Sequence, residues 1–85
     1  MSNSELAKAI LLQVEKVDPE SLYKVSEIDG YPDKAIVAEM YQMIEEELIE
    51  ATPLYSQAST RPTDYQDIYL KQKGREFLRK KREEI

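Results

Sequence analysis

The feature that most constrains the fold is a long amphipathic segment followed at once by two β-rich segments. Pro32 suits the first turn of a helix, where its missing N–H leaves no hydrogen bond unmade. From there to about Glu47, apolar residues at helical spacing cover one continuous arc. These residues are Ile36, Val37, Met40, Tyr41, Met43, Ile44 and Leu48. The pattern predicts a helix over residues 32–47 with one face in the core.

Two predicted strands follow this helix and form a hairpin. The first spans residues 48–55, where Pro53 restricts the segment to an edge or an end of a sheet. The second spans residues 65–70 and is rich in β-branched and aromatic side chains. The polar residues 56–64 between them, which include Arg61, predict the connecting loop.

Helices are also predicted on both sides of this unit. Apolar residues at helical spacing predict a first helix over residues 4–17, with Ser2 at capping-box spacing from Glu5. Its core arc holds Leu6, Ile10, Val14 and Val17. Leu12 projects from the opposite, charged side, either as an ordinary exposed leucine or as part of a partner surface. A closing helix starts at about Gln72, with a core face of Gly74, Phe77, Leu78 and Ile85.

The order of elements predicts one α+β, winged-helix-like domain over residues 1–85. It reads helix, short strand at about residues 25–28, long helix, two-stranded wing hairpin and C-terminal helix. The usual winged helix has a further helix before the long one. Only residues 19–31 could hold it here, and two turn signals make that stretch too irregular for a regular helix.

Two stretches carry a resemblance to known proteins. Glu27-Ile28-Asp29-Gly30-Tyr31, taken with residues 36–51, resembles a family of small phage and prophage proteins of unknown function, similar in plan to YjcQ-like winged-helix proteins. Residues 69–78 resemble the pattern by which winged helices leave the last wing strand and begin the closing helix. The resemblance implies a winged-helix fold over most of the chain. It implies no reaction or ligand, so it assigns no functional residue.

The chain departs from this pattern at two positions. Lys71 stands where a threonine N-cap is expected, which removes a cap worth about 1 kcal/mol. Glu47 stands where the long helix would end on glycine. Either Glu47 adopts the left-handed conformation at some energetic cost, or the helix ends in another way.

Composition argues against catalysis and cofactor binding. The chain has no histidine and no cysteine, so the commonest general base, metal ligand and thiol nucleophile are missing. Its two glycines cannot form a phosphate-binding loop, and no loop has calcium-site spacing. We therefore expect no enzyme activity, metal or cofactor. The longest apolar run has four residues and the N-terminus lacks signal-peptide character, so we expect a cytoplasmic protein without membrane contact.

Three candidate surfaces remain for a binding function. They are the outer arc of the long helix, the wing and the basic closing helix. Their residues are, in the same order, Glu39, Gln42, Glu45 and Glu46; Tyr55, Arg61 and Tyr65; and Arg79 and Lys80. The tyrosines suit an interface and equally suit half-buried strands.

Charge placement favours a protein partner over DNA. Residues 1–70 hold 5 Lys/Arg and 14 Asp/Glu, a net charge of −9, whereas residues 71–85 hold 7 and 3, a net charge of +4. We expect a protein-interaction module, with a weak homodimer formed between the acidic body and the basic tail. The alternative is a sequence-specific DNA-binding transcriptional regulator that uses the helix 32–47 and the wing 48–70. Acidic side chains on that helix would repel phosphates.

Overall fold

The computed structural model describes residues 4–83 and confirms the winged-helix-like order of elements. Three helices and one antiparallel hairpin follow one another as α1 (Ser4–Glu15), α2 (Asp33–Glu45), β1 (Ile49–Leu54), β2 (Asp64–Leu70) and α3 (Gln72–Glu83). The predicted cap Ser2 and the predicted core residue Ile85 lie outside the described residues. Pro32 was expected in the first turn of α2 but is its N-cap residue, so the helix begins one residue later, at Asp33. The carbonyl of Pro32 accepts hydrogen bonds from the N–H groups of Ala35 and Ile36.

The sheet gains a third segment through an isolated bridge on the side of β2 opposite β1. The N–H of Leu22 donates to the carbonyl of Ile68 at 2.6 Å, and the N–H of Ile68 donates back at 2.8 Å. The short extended segment expected before α2 is therefore present, but it pairs at Leu22, earlier than the predicted residues 25–28. Within residues 16–32 the described backbone forms turns and bridges, and the additional helix of the usual winged helix is not formed there.

A bulge in β2 decides which of its side chains are buried. Asp67 has a φ of 53°, and the register shifts between Glu50 and Thr52 of the facing strand. The extra residue breaks the two-residue alternation of a strand. As a result Tyr65, Ile68 and Leu70 all face the core, although Tyr65 and Ile68 are three positions apart.

The core lies where α1 and α2 meet the hairpin and α3. The side chains that are fully buried are Ile10, Leu11, Val14, Met40, Met43, Ile49, Ile68 and Leu78. The predicted arc of α1 is confirmed at Leu6, Ile10 and Val14. Leu12 is half-buried and packs against the core, so its placement on the charged side is wrong.

The buried face of α2 is rotated relative to the predicted arc. Ile36, Met40 and Met43 are buried as expected. Glu39, expected on the outer arc, is 6% exposed, whereas Tyr41, expected in the core, is 45% exposed. The spacing of apolar residues could not determine this rotation. The apolar residues of α2 cover more than half of its circumference, so several different faces of the helix could pack into the core.

The two departures from the winged-helix pattern lie at the junctions of the hairpin with α2 and with α3. Glu47 has a φ of 62° and so adopts the left-handed conformation. The N–H groups of Glu47 and Leu48 donate to the carbonyls of Ile44 and Met43, which completes the hydrogen bonding of a Schellman helix end. At the other junction the N–H of Lys71 donates to the carbonyl of Leu48 at 3.0 Å and ties the start of α3 to the start of β1.

Candidate functional site

A groove lies between α2 and the wing loop on the described surface. It has a volume of about 830 Å³, and its walls come from the first three turns of α2, from residues 61–63 and from Tyr65. Apolar side chains of Val37, Ala38 and Pro62 line it together with Tyr41 and Tyr65. Its polar lining residues are Asp33, Lys34, Gln42, Arg61 and Thr63.

Local hydrogen bonds hold the wing side of the groove in place. The N–H of Arg61 donates to Oγ of Ser59 at 3.2 Å, and the Ser59 hydroxyl donates to the carbonyl of Arg61 at 2.6 Å. The N–H of Thr63 donates to the carbonyl of Leu54 at 2.7 Å and closes the loop onto the end of β1. The loop is therefore positioned by its own contacts before any ligand arrives, which lowers the entropy cost of binding.

Three tyrosines gather beside this groove. Tyr65 is 3% exposed, and burial raises the pKa of its phenol, with smaller contributions from Tyr41, Tyr55 and Glu45 nearby. Tyr41 and Tyr55 are 45% and 58% exposed. Exposed tyrosine offers apolar area with a polar tip, which is typical of interface residues.

Tyr69 has a different setting on the hairpin. Its hydroxyl donates a hydrogen bond to Oε2 of Glu50, the residue opposite it in the strand pair. This hydrogen bond is the main reason that the pKa of Tyr69 is raised. Tyr69 is thus engaged within the hairpin and does not line the groove.

Ion pairs divide the basic helix α3 into two parts. Lys71 and Lys73 lie 3.7 and 3.2 Å from the carboxylate of Glu47, and they lower its pKa, with Lys73 contributing most. The guanidinium of Arg75 donates to both oxygens of Asp18, at 2.8 and 3.4 Å. These ion pairs therefore connect the start of α3 to Glu47 after α2 and to Asp18 after α1.

Arg79 and Lys80 in the second half are exposed and form no ion pair within the described residues. Between residues 71 and 80, these two are thus the basic side chains without an ion-pair partner among the described residues.

The predicted site residues separate into groups. Gln42, Arg61 and Tyr65 meet in the groove, with Tyr55 and Glu45 beside Tyr65. Glu46 is exposed at the end of α2 and does not line the groove. Glu39 is buried, so its place on the outer surface is wrong. Arg79 and Lys80 belong to α3 and lie outside the groove lining.

Sequence reasoning missed several lining residues of the groove: Lys34, Val37, Ala38, Tyr41 and Pro62. Four of them lie on α2, at positions 34, 37, 38 and 41. Successive positions separated by three or four residues fall on the same face of a helix, so this spacing was the signal for a shared surface. Tyr41 was not identified as a surface residue because an aromatic side chain within an apolar arc is ordinarily assigned to the core.

Among the side chains that the structure describes, those of residues 5–81, no three acidic groups converge so that they could hold a metal ion. No helix within the same described range has the length and apolar character needed to cross a membrane.

The element order and the groove between helix and hairpin define a winged-helix-like α+β domain. A family model described as "Hypothetical protein (DUF2513)" matches residues 2–85. The chain therefore belongs to this uncharacterised family. We found no significant match among curated proteins or among solved structures.

Proposed function

We propose that this domain is a non-catalytic protein-interaction module whose contact surface is the groove between α2 and the wing. The observation that carries the proposal is the apolar and aromatic lining of this groove, where exposed Tyr41 and half-buried Val37 and Pro62 lie over buried Tyr65, beside Arg61. Tyr and Arg are enriched among the residues that dominate binding energy at protein interfaces. The hydrogen-bonded wing loop supports the proposal because it holds one wall of the groove fixed.

A photo-crosslinking side chain in place of Gln42 tests the proposal in the source cells. Gln42 is exposed and lines the groove, whereas Lys16 is exposed near the end of α1 and serves as the control position. We expect a discrete crosslinked protein from position 42 and none from position 16. With that partner purified, Tyr41→Ala and Arg61→Ala should each weaken binding at least tenfold, corresponding to about 1.4 kcal/mol. Unchanged binding in both variants would contradict the proposal.

Sequence-specific DNA binding is the second candidate function, and one observation favours it. Burial of Glu39 leaves the outer face of α2 less acidic than expected, and Lys34, Gln42 and Arg61 line one groove. Two cations nevertheless neutralise few phosphates, and duplex affinity depends on how many are neutralised. We therefore expect no measurable binding to random duplex DNA at physiological salt.

Titration of a labelled duplex at several salt concentrations tests this second candidate. Glu45→Lys with Glu46→Lys should create binding, because both carboxylates are exposed on α2. Tight wild-type binding to a selected sequence, lost in Gln42→Ala or Arg61→Ala, would replace the protein-interaction proposal with the regulator. Binding lost only in Arg79→Gln with Lys80→Gln would place the nucleic-acid contact on α3 instead.

The proposal also covers origin and location. We propose a relationship to phage and prophage proteins similar in plan to YjcQ-like winged-helix proteins, supported by the Glu27–Tyr31 segment and the element order. We further propose that the protein acts in the cytoplasm. Detection of the tagged chain in fractionated source cells tests the location, and recovery in a membrane or extracellular fraction would contradict it.

A further inference from the structure

The groove is a cationic site on an acidic protein. The whole chain has a net charge of −5. Lys34 lines the groove from α2 and Arg61 lines it from the wing. Both side chains belong to exposed residues, and neither forms an ion pair within the part of the chain that the structure describes. The groove thus presents two cations whose charges no described carboxylate neutralises by direct contact.

Two acidic residues lie next to these cations, and only one of them has hydrogen-bond partners of its own among the described residues. Asp64 accepts hydrogen bonds from Nζ of Lys24 at 3.0 Å and from the N–H of Tyr65 at 2.8 Å. The hydrogen bond to Asp64 is the main reason that the pKa of Lys24 is raised. Asp33 lies in the first turn of α2, where the helix dipole stabilises a negative charge. The charged residues that line the groove are therefore the two cations Lys34 and Arg61 and the single carboxylate of Asp33, which leaves positive charge in excess.

The floor between the two cations is apolar. Val37 and Ala38 of α2 face Pro62 of the wing across the groove, with Tyr41 and Tyr65 beside them. A volume of about 830 Å³ lies within the range that holds a drug-sized ligand or a few side chains. Nucleic acid would gain little from two cations, whereas an apolar floor with Tyr and Arg matches the core of a protein interface.

We propose that the groove binds a short acidic segment of a partner protein. One apolar side chain of that segment sits against Val37 and Pro62, and carboxylates on either side of it pair with Lys34 and Arg61. The inference rests on the proposed function, since it names the chemistry of the partner for the same groove. Charge complementarity distinguishes this occupant from a second copy bound through its basic α3.

Two matched synthetic peptides test the inference on the full chain. One alternates glutamate with leucine, and the other alternates lysine with leucine at the same length. Each is titrated into isotope-labelled protein while amide resonances are followed by NMR. We expect the acidic peptide to shift the resonances of Val37, Ala38 and Thr63, and the basic peptide to leave them in place.

Charge reversal supplies the second arm of the test. Lys34→Glu with Arg61→Glu should weaken the acidic peptide at least tenfold and allow the basic one to bind. Lys16→Glu with Lys80→Glu makes the same change in net charge away from the groove and should leave the preference intact. All four side chains are exposed, and circular dichroism checks that each variant is folded.

The outcomes separate this inference from the proposed function. Equal binding of both peptides in the groove would contradict the preference for an acidic partner but would remain consistent with a protein-interaction module. Shifts confined to α3 around Arg79 and Lys80 would also overturn it. If no peptide shifts the groove and duplex DNA does, both the inference and the proposed function fail.

Discussion

The carbonyl oxygen of Leu48 lies closer than 3.0 Å to the position that a Cβ atom on Gly74 would occupy. Real Cβ atoms essentially never approach another heavy atom that closely. The atom in the way belongs to the backbone, at the junction where Lys71 hydrogen-bonds to the same carbonyl. The absence of a side chain at Gly74 is therefore what allows α3 to pack against the start of the hairpin.

Replacement of Gly74 by alanine should destabilise the protein. Alanine is about 1 kcal/mol better than glycine inside a helix, but overpacking against backbone costs about 1–3 kcal/mol more than a fitting side chain. We expect a net loss in the free energy of unfolding, measured by urea titration. Gln72→Ala, at an exposed position of the same turn, should stay within about 0.5 kcal/mol of wild type. An unchanged or more stable Gly74→Ala variant would show that α3 sits farther from Leu48.

The rotation of α2 predicts an unequal pair of variants. Met43 is fully buried, whereas its neighbour Ile44 is half-buried. Met43→Ala should therefore cost about 2–5 kcal/mol, the range for large-to-small changes in a core. Ile44→Ala should cost less than half as much. The reverse order, measured by chemical denaturation of both variants, would mean that α2 turns Ile44 rather than Met43 into the core.

The left-handed conformation of Asp67 predicts a stabilising substitution. This conformation costs an L-residue about 1–2 kcal/mol, and glycine adopts it freely. Asp67→Gly should therefore raise the free energy of unfolding by about 1 kcal/mol, with its φ of 53° retained. Gln66→Gly is the control, because ordinary strand backbone gains nothing from glycine and loses stability. A destabilised Asp67→Gly variant would mean that its carboxylate holds the bulge.

Acid should remove the contribution of Glu47 to stability. Lys73 and Lys71 lower its pKa in the folded protein from an ordinary value of 4.5. A carboxylate with a lowered folded pKa stabilises fully above its unfolded pKa and loses that effect as the pH falls through the folded value. The stability difference between wild type and Glu47→Gln should thus be constant above about pH 5 and shrink below 4.5. A difference that grows on acidification would contradict the ion-pair assignment.

Association between copies should depend on salt. Glu45 and Glu46 at the end of α2 and Arg79 and Lys80 on α3 are exposed charges of opposite sign. We expect a weak dimer in sedimentation equilibrium at low salt that dissociates as salt rises, because screening acts over about 10 Å at 0.1 M. Arg79→Glu with Lys80→Glu should abolish it. A strict monomer at high concentration and low salt would rule out this interaction.

Periodicity and turn chemistry predicted the order of elements because each depends on local residues. Pro32 and the apolar spacing after it were enough to place α2, and the hairpin followed from β-rich segments around a polar loop. The local sequence of α2 does not determine which of its faces packs into the core. The choice of face depends on how α1 and the hairpin pack together, which decided the burial of Glu39 and the exposure of Tyr41.

The groove was only partly predictable for the same reason. Gln42, Arg61 and Tyr65 were identified by chemical type, but nothing in their spacing shows that the loop holding Arg61 folds toward Lys34 and Val37. The bulge at Asp67 was also missed. A strand pattern with a three-residue step between Tyr65 and Ile68 was its available signal.

Pro53 lies on the outer edge of the hairpin. It lies within β1 opposite Tyr65, and no other strand of the described residues pairs with β1 on its far side. A peptide that tried to extend the sheet along β1 would meet a residue with no N–H to offer. This missing N–H disfavours growth of the sheet by strand addition on this side and so reduces edge-to-edge aggregation. Side chains, such as those that line the groove on α2, are then the better means of holding a partner.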